Sequence, residues 1–514
     1  MPNSSGHNPG YNGAEAEPGG QSDLGLIVKN AGMDVFGQAF TIIVTFAASV
    51  IVTRTIGAEL FGKYSLANSI FQILSIFAVF GLDSGVVRLT SKYMTLQDYS
   101  RVKGTLWSGM GLASGFSLVL VVLSVAVTPA LTARFYSHIE GLTLVLRVYV
   151  IGLPFFALMT ALNGYTQGLK TLKPSVIVTM IVRPVSRLAL ILILFLAGMR
   201  LFAVVLGSMG SLLVCAVLAL VFAVRISPFD FRRTRPTGVG RELFLYSLPL
   251  VLANFMNVVF SRSNVMIAGY YLDASTVGIF SAALVLASFV SMTLISFSRI
   301  FAPIISELWE KGDREALMVQ SKVVSKWVFT LSLPVFCVLI LFAPGILSIF
   351  GSDFTRGTLA LKIIAIGQIT IAMAGPVGFV LIMTGRQNLN LVNSIVLAAS
   401  NVVLNILLIP GYGMTGAALA ATLSISSINL LRIIQVKLIH GFTPFRFDLY
   451  KPVAAGAAAS LAMYIANRYL NWTDIPRTIA LCAAFLIIYL AVLYALGLGE
   501  ELGILREVLK RRRR

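Results

Sequence analysis

Fourteen stretches of about 20 mainly apolar residues follow one another along this chain, each long enough to cross the hydrocarbon of a bilayer as a helix. They fall at about 33–53, 66–87, 104–127, 147–167, 174–198, 201–224, 243–268, 274–298, 325–343, 360–383, 388–409, 414–436, 451–470 and 475–497. Backbone polar groups in lipid must be satisfied within the chain, so runs of this kind admit helices and exclude open sheets. The expected fold is an all-α polytopic membrane protein with about 14 transmembrane helices. Composition sets the soluble alternative aside: 57% of the 514 residues are hydrophobic and only 12% are charged, against about 25% charged in soluble domains.

The net charge of +19 would suggest a nucleic acid or another polyanion as the partner of a soluble chain. Its distribution gives a different account. With the N-terminus in the cytoplasm and the spans alternating, 28 Lys and Arg fall in cytoplasmic segments and nine in outer ones, the bias that orients membrane proteins. The expectation is a multi-pass protein of the cell membrane with both termini cytoplasmic, its basic groups facing anionic lipid; nucleic acid is excluded as a partner. Residues 1–23, rich in Gly, Asn, Ser and Pro, are expected to form a disordered cytoplasmic tail. Cys215, Cys337 and Cys482 sit in apolar runs, and His7, His138 and His440 are far apart, so neither a metal site nor a cofactor is expected. No P-loop, HExxH motif or nucleophile with a base is found, and no extramembrane segment is large enough to host an active site, so the chain does not read as an enzyme.

Internal repetition divides the chain. Residues 58–67, Ala-Glu-Leu-Phe-Gly-Lys-Tyr-Ser-Leu-Ala, align with residues 274–283, Ala-Ser-Thr-Val-Gly-Ile-Phe-Ser-Ala-Ala, at an offset of 216. An offset of 218 sets Ser175, Arg183 and Arg187 on Asn393, Asn401 and Asn405. Two six-helix lobes, 24–224 and 242–440, are expected on either side of a basic cytoplasmic linker, 225–241. An even number of helices per lobe makes the repeats parallel, related by an axis along the membrane normal. Segment 441–499 holds two appended helices, and 500–514 is a basic cytoplasmic tail.

Polar residues at bilayer depth cost several kcal/mol when charged and must face a partner or a wet cavity. Ser175, Thr179, Arg183 and Arg187 recur every four residues, along one helix face, and Pro184 predicts a kink beside them. Guanidinium stays charged and matches phosphate oxygens. Either these arginines line an anion-binding cavity or they pair with buried acids and hold helices together. Arg262, with Arg54 and Arg88 at span ends, joins them as a cavity candidate. Asn254, Asn257 and Asn264 on the seventh span, and Asn393, Asn401 and Asn405 on the eleventh, either line the cavity or bridge helices. Asp34 is a candidate coupling site for an ion or proton, or an acid suited to the helix dipole. Asp83 is expected to pair with Arg88, and Gly109, Gly111 and Gly115 to allow close helix approach.

The stretch Ile51-Val52-Thr53-Arg54-Thr55-Ile56-Gly57-Ala58-Glu59-Leu60-Phe61-Gly62-Lys63-Tyr64-Ser65, followed by Gly81-Leu82-Asp83-Ser84-Gly85-Val86-Val87-Arg88, resembles the opening of the polysaccharide-transporter (oligosaccharide flippase) family. That family belongs to the multidrug/oligosaccharidyl-lipid/polysaccharide exporter superfamily. The resemblance implies two six-helix lobes around a central cavity that moves a polyprenyl-(di)phosphate-linked oligosaccharide between leaflets by alternating access. It also implies that the last two helices form a groove for the lipid tail. The implied partners are the lipid-linked oligosaccharide, membrane lipids, and a polysaccharide polymerase or glycosyltransferases. The competing expectations are a cation-coupled small-molecule exporter of the same superfamily, which needs acids in its cavity, and a membrane scaffold for polysaccharide-assembly enzymes.

Overall fold

The computed structural model describes residues 19–230, 233–445, 449–467 and 475–498. The expected tails up to residue 18 and from 500 to 514 therefore lie outside the described residues. Among the described residues helix is the only regular secondary structure. The first helix starts at Gly19, inside the segment expected to be a disordered tail.

The helices follow the apolar runs one for one. The first lobe comprises α1 (19–56), α2 (58–95), α3 (Tyr99–Phe135), α4 (Leu142–Gly168), α5 (Lys173–Leu196) and α6 (Leu201–Ile226). The second comprises α7 (Gly240–Tyr271), α8 (Ala274–Glu310), α9 (Arg314–Leu341), α10 (358–383), α11 (387–412) and α12 (414–440). Then come α13 (Tyr450–Asn467) and α14 (Ile475–Leu493), which pack on α9: the Tyr489 hydroxyl donates to the Thr330 carbonyl at 2.8 Å. The turn between α1 and α2 is made by Gly57 alone, at φ 79°, a conformation that only glycine adopts without strain. Its counterpart at the offset of 216 is Asp273, which caps α8 through bonds from the Thr276 amide and hydroxyl. Burial opposes the charge of that carboxyl, but hydrogen bonds from the Thr276 hydroxyl and from the backbone of residues 273, 275 and 276 together hold its pKa below the usual value.

The two lobes meet where α2 crosses α8, and the crossing obeys the repeat. A methyl group built on Gly62 would stand 1.7 Å from the Ala274 carbonyl oxygen; one built on Gly278 would stand 2.1 Å from that of Ala58. Each lobe presents the same Ala-xxx-Gly pair to the other, the small-residue spacing that lets helix backbones touch in a membrane. Of the three α3 glycines, Gly109 plays the expected part, a methyl built on it standing 3.0 Å from a Val86 methyl of α2, whereas Gly111 and Gly115 have nothing within 4 Å of an added methyl.

Three helices are broken. In α2, Phe80 and Gly81 take φ 50° and 69° before the helix resumes at Leu82. In α4 and α10, breaks fall between Val150 and Leu153 and around Gly375. The end of the bundle that carries the interlobe linker is termed the linker end, and the end that carries Gly57 the far end.

Candidate functional site

Two cavities adjoin, one of about 440 Å³ walled by the first lobe apart from Val258 of α7, and one of about 470 Å³ between the lobes. They share Thr45 of α1, Tyr64 and Asn68 of α2, and Arg187 of α5, so they form one chamber divided by the first half of α2. Arg183 and Arg187 face the cavity in the first lobe, and Arg187 and Arg262 the one that reaches into the second. The Arg187 Nη2 donates to the Tyr64 hydroxyl at 2.6 Å, and the Arg183 guanidinium stands 5.5 Å from the ring centre of Phe156, within cation–π range. None of the three forms an ion pair among the described residues, and none of the described lining residues is an acid. The Nε atoms of Arg187 and Arg262 are buried without a partner, an arrangement that favours an incoming hydrogen-bond acceptor.

The backbone that carries the arginines is itself unusual. Residues Ile177–Val182 form a π-helical turn at the head of α5, a feature that often accompanies functional sites. Pro184 has no N–H to give the Met180 carbonyl four residues upstream. The Thr41 hydroxyl of α1 stands 2.7 Å from that oxygen and takes the place of the missing donor. The Cys215 thiol of α6 donates to the Val178 carbonyl at 3.5 Å, which also accepts from the Arg183 amide. Replacing Thr41 by valine keeps the shape and removes the donor. The expected cost is about 1–2 kcal/mol, read as a lowered unfolding temperature in detergent with no change in expression of a Ser49→Ala control.

The remaining sequence candidates separate. Arg54, expected in the cavity, lies at the far end, where its Nε donates to the Ile349 carbonyl at 2.7 Å and its Nη2 to that of Ser348 at 3.3 Å. It ties the lobes together because α1 ends at Gly57, beyond the chamber. Arg88 lies toward the linker end, 4.3 Å from the ring centre of Tyr246, and makes no ion pair with Asp83 among the described residues. Five residues apart on one helical segment, the two lack the spacing of three or four that lets side chains pair along a helix. Asn401 and Asn405 are fully buried and both donate to Asn264, at 3.1 and 2.9 Å. They are the amide bridge between α7 and α11, not part of the chamber wall. The side chains of Asp34, Asn254 and Asn257 lie outside the described residues.

Sequence reasoning missed Thr41 and Thr45 on α1, and Tyr64, Asn68, Gln72 and Ser75 on α2, all of which line the chamber. Their spacing of three and four residues is the signal that drew attention to α5.

A family model described as a polysaccharide biosynthesis protein matches residues 27–309, more than half of the chain. The chain belongs to the polysaccharide biosynthesis protein family. A second model, MatE, matches residues 249–410 of this family member. Among relatives, the probable low-salt glycan biosynthesis flippase Agl15 of Haloferax volcanii is 24% identical over 453 residues, 86% of this chain and 88% of its own length. The uncharacterized membrane protein MJ1068 of Methanocaldococcus jannaschii is 24% identical over 381 residues, 70% of this chain and 73% of its own. Among solved structures, the lipid II flippase MurJ in an inward closed conformation superposes with a TM-score of 0.71 at 15% identity, covering 90% of this polysaccharide biosynthesis protein and 98% of MurJ. An inward-facing multidrug resistance MATE transporter of the MOP superfamily gives a TM-score of 0.66 at 14% identity, covering 80% and 98%. These likenesses establish a shared fold.

Proposed function

We propose that the protein is a flippase of the cell membrane that moves a polyprenyl-(di)phosphate-linked oligosaccharide from the cytoplasmic to the outer leaflet. The observation that carries this reading is the chamber wall: three guanidiniums, with no carboxylate among the described lining residues. Such a wall offsets the cost of bringing a phosphate to bilayer depth, because opposite charges about 4 Å apart attract by roughly 4 kcal/mol at an effective dielectric of 20. The same wall disfavours a cationic drug, which weighs against the exporter reading. Family membership and the flippase named among the relatives support the same substrate class.

In this reading the linker end faces the cytoplasm, as the charge bias requires, and both termini lie there. The head group enters the chamber while the prenyl tail stays in lipid. Opening toward the cytoplasm parts the contacts between α2 and α7, in which Lys92 bridges Glu242 at 2.8 Å and the Tyr93 hydroxyl also bonds Glu242. Opening outward parts the Arg54 contacts with residues 348 and 349.

The test is deletion of the gene, followed by leaflet-resolved analysis of lipid-linked oligosaccharides. Accumulation in the cytoplasmic leaflet, reversed by the intact gene, is expected; an unchanged distribution overturns the proposal.

A further inference from the structure

A third cavity, of about 560 Å³, lies between the second half of α2, α4 and the head of α5. It touches the chamber at Thr179, whose side chain borders both. The polar stripe of α5 thus runs through all three spaces: Ser175 in the third cavity, Thr179 at the junction, Arg183 in the first and Arg187 at the boundary with the second. At the rise of a helix, Ser175 and Arg183 are about 12 Å apart.

The chemistry of this cavity differs from that of the chamber. It holds a carboxylate, Asp83, a guanidinium, Arg88, two amides, Asn163 and Gln167, and several hydroxyls, Thr160 among them. The Asp83 Oδ1 and the Asn163 Nδ2 are buried without a hydrogen-bond partner, and Asn163 is only 5% exposed. Each such group costs about 1–3 kcal/mol if nothing satisfies it. One is an acceptor and the other a donor, so the ligand that suits them must both give and accept hydrogen bonds. Phosphate only accepts, and Asp83 repels it. A cation finds Asp83 but also meets Arg88 on the same wall. Neutral vicinal hydroxyls fit both groups, and the volume is that of a small-molecule site.

We infer that this cavity is a carbohydrate subsite, in which Asp83 and Asn163 read sugar hydroxyls while the chamber arginines hold the phosphate. The inference rests on the flippase reading and adds the element that selects the glycan. It places the sugar toward the linker end and the phosphate deeper, with the stripe of α5 spanning both.

The experiment uses the full chain in lipid nanodiscs, titrated with farnesyl diphosphate and with farnesyl diphosphates bearing glucose, galactose or N-acetylglucosamine. At least one glycosylated probe is expected to bind about tenfold tighter than farnesyl diphosphate. Asn163→Leu removes that gain and leaves farnesyl diphosphate affinity unchanged; Asp83→Leu, which keeps the approximate shape and removes the acceptor, does the same and covers the case in which the Asn163 variant fails to fold. Arg187→Ala weakens every probe. Sugars that add nothing in the wild type, or a gain that survives in the variants, overturn the subsite and leave the phosphate grip standing. Farnesyl diphosphate that fails to bind, or binds equally to Arg187→Ala, overturns the flippase reading and the subsite with it.

Discussion

Arg187→Glu abolishes transport. The guanidinium is shared by both cavities of the chamber, so reversing its charge acts on the anion wherever it sits. An attraction of roughly 4 kcal/mol becomes a repulsion of similar size at an effective dielectric of about 20. Even with most of that screened, a loss of roughly a hundredfold or more in affinity is expected. The measurement is flipping of a lipid-linked oligosaccharide in liposomes, with gel filtration to show that the variant is intact. Arg187→Lys separates charge from geometry: it keeps the cation and loses the fixed fork that meets Tyr64, and is expected to retain part of the activity. Wild-type transport by the glutamate variant rules the chamber out as the route.

The second large effect is on folding. Gly62→Val places a branched side chain where even a methyl carbon would stand 1.7 Å from the Ala274 carbonyl. Backbone cannot yield as a side-chain tip does, so the lobes must part at their crossing, at a cost of about 3 kcal/mol or more. Gly278→Val is expected to cost the same, by symmetry. The double variant should lose much less than twice as much, because one separation relieves both clashes, and neighbouring sites of this kind are strongly coupled. Gly111→Ala, on an open helix face, is the control and should be neutral or slightly stabilising. Unfolding temperatures of the four proteins in one detergent decide the matter. Equal values for Gly62→Val and Gly111→Ala refute the crossing.

The legible part of the molecule is the part the bilayer dictates. A span needs a run of about 20 apolar residues, so all fourteen helices are visible in the sequence, and Gly57 marks a turn too short to show as a loop. The stripe on α5 is legible because arginine in an apolar helix is costly and must meet a partner or a wet cavity. The hydroxyls and amides of α1 and α2 escaped notice because Thr, Ser and Asn in membrane helices also serve as packing residues, and spacing alone does not separate the two roles. The partners of Arg54, nearly 300 residues away in the chain, and the amide bridge from Asn264 to Asn401 and Asn405 are non-local contacts, which no sequence window contains. The break at Phe80 and Gly81 was hidden by an apolar run that continues through it.

The reciprocal crossing of α2 and α8 is self-complementary, the kind of contact by which two copies of one subunit form a homodimer. A single polypeptide lets its two halves differ, and these do: Arg183 and Arg187 of one lobe correspond to Asn401 and Asn405 of the other at an offset of 218. Two identical halves would hold an anion equally well at either pole, and a cargo with a single charged joint could settle in two opposed registers. With one half cationic and the other neutral at these positions, the proposed cargo has a single preferred register.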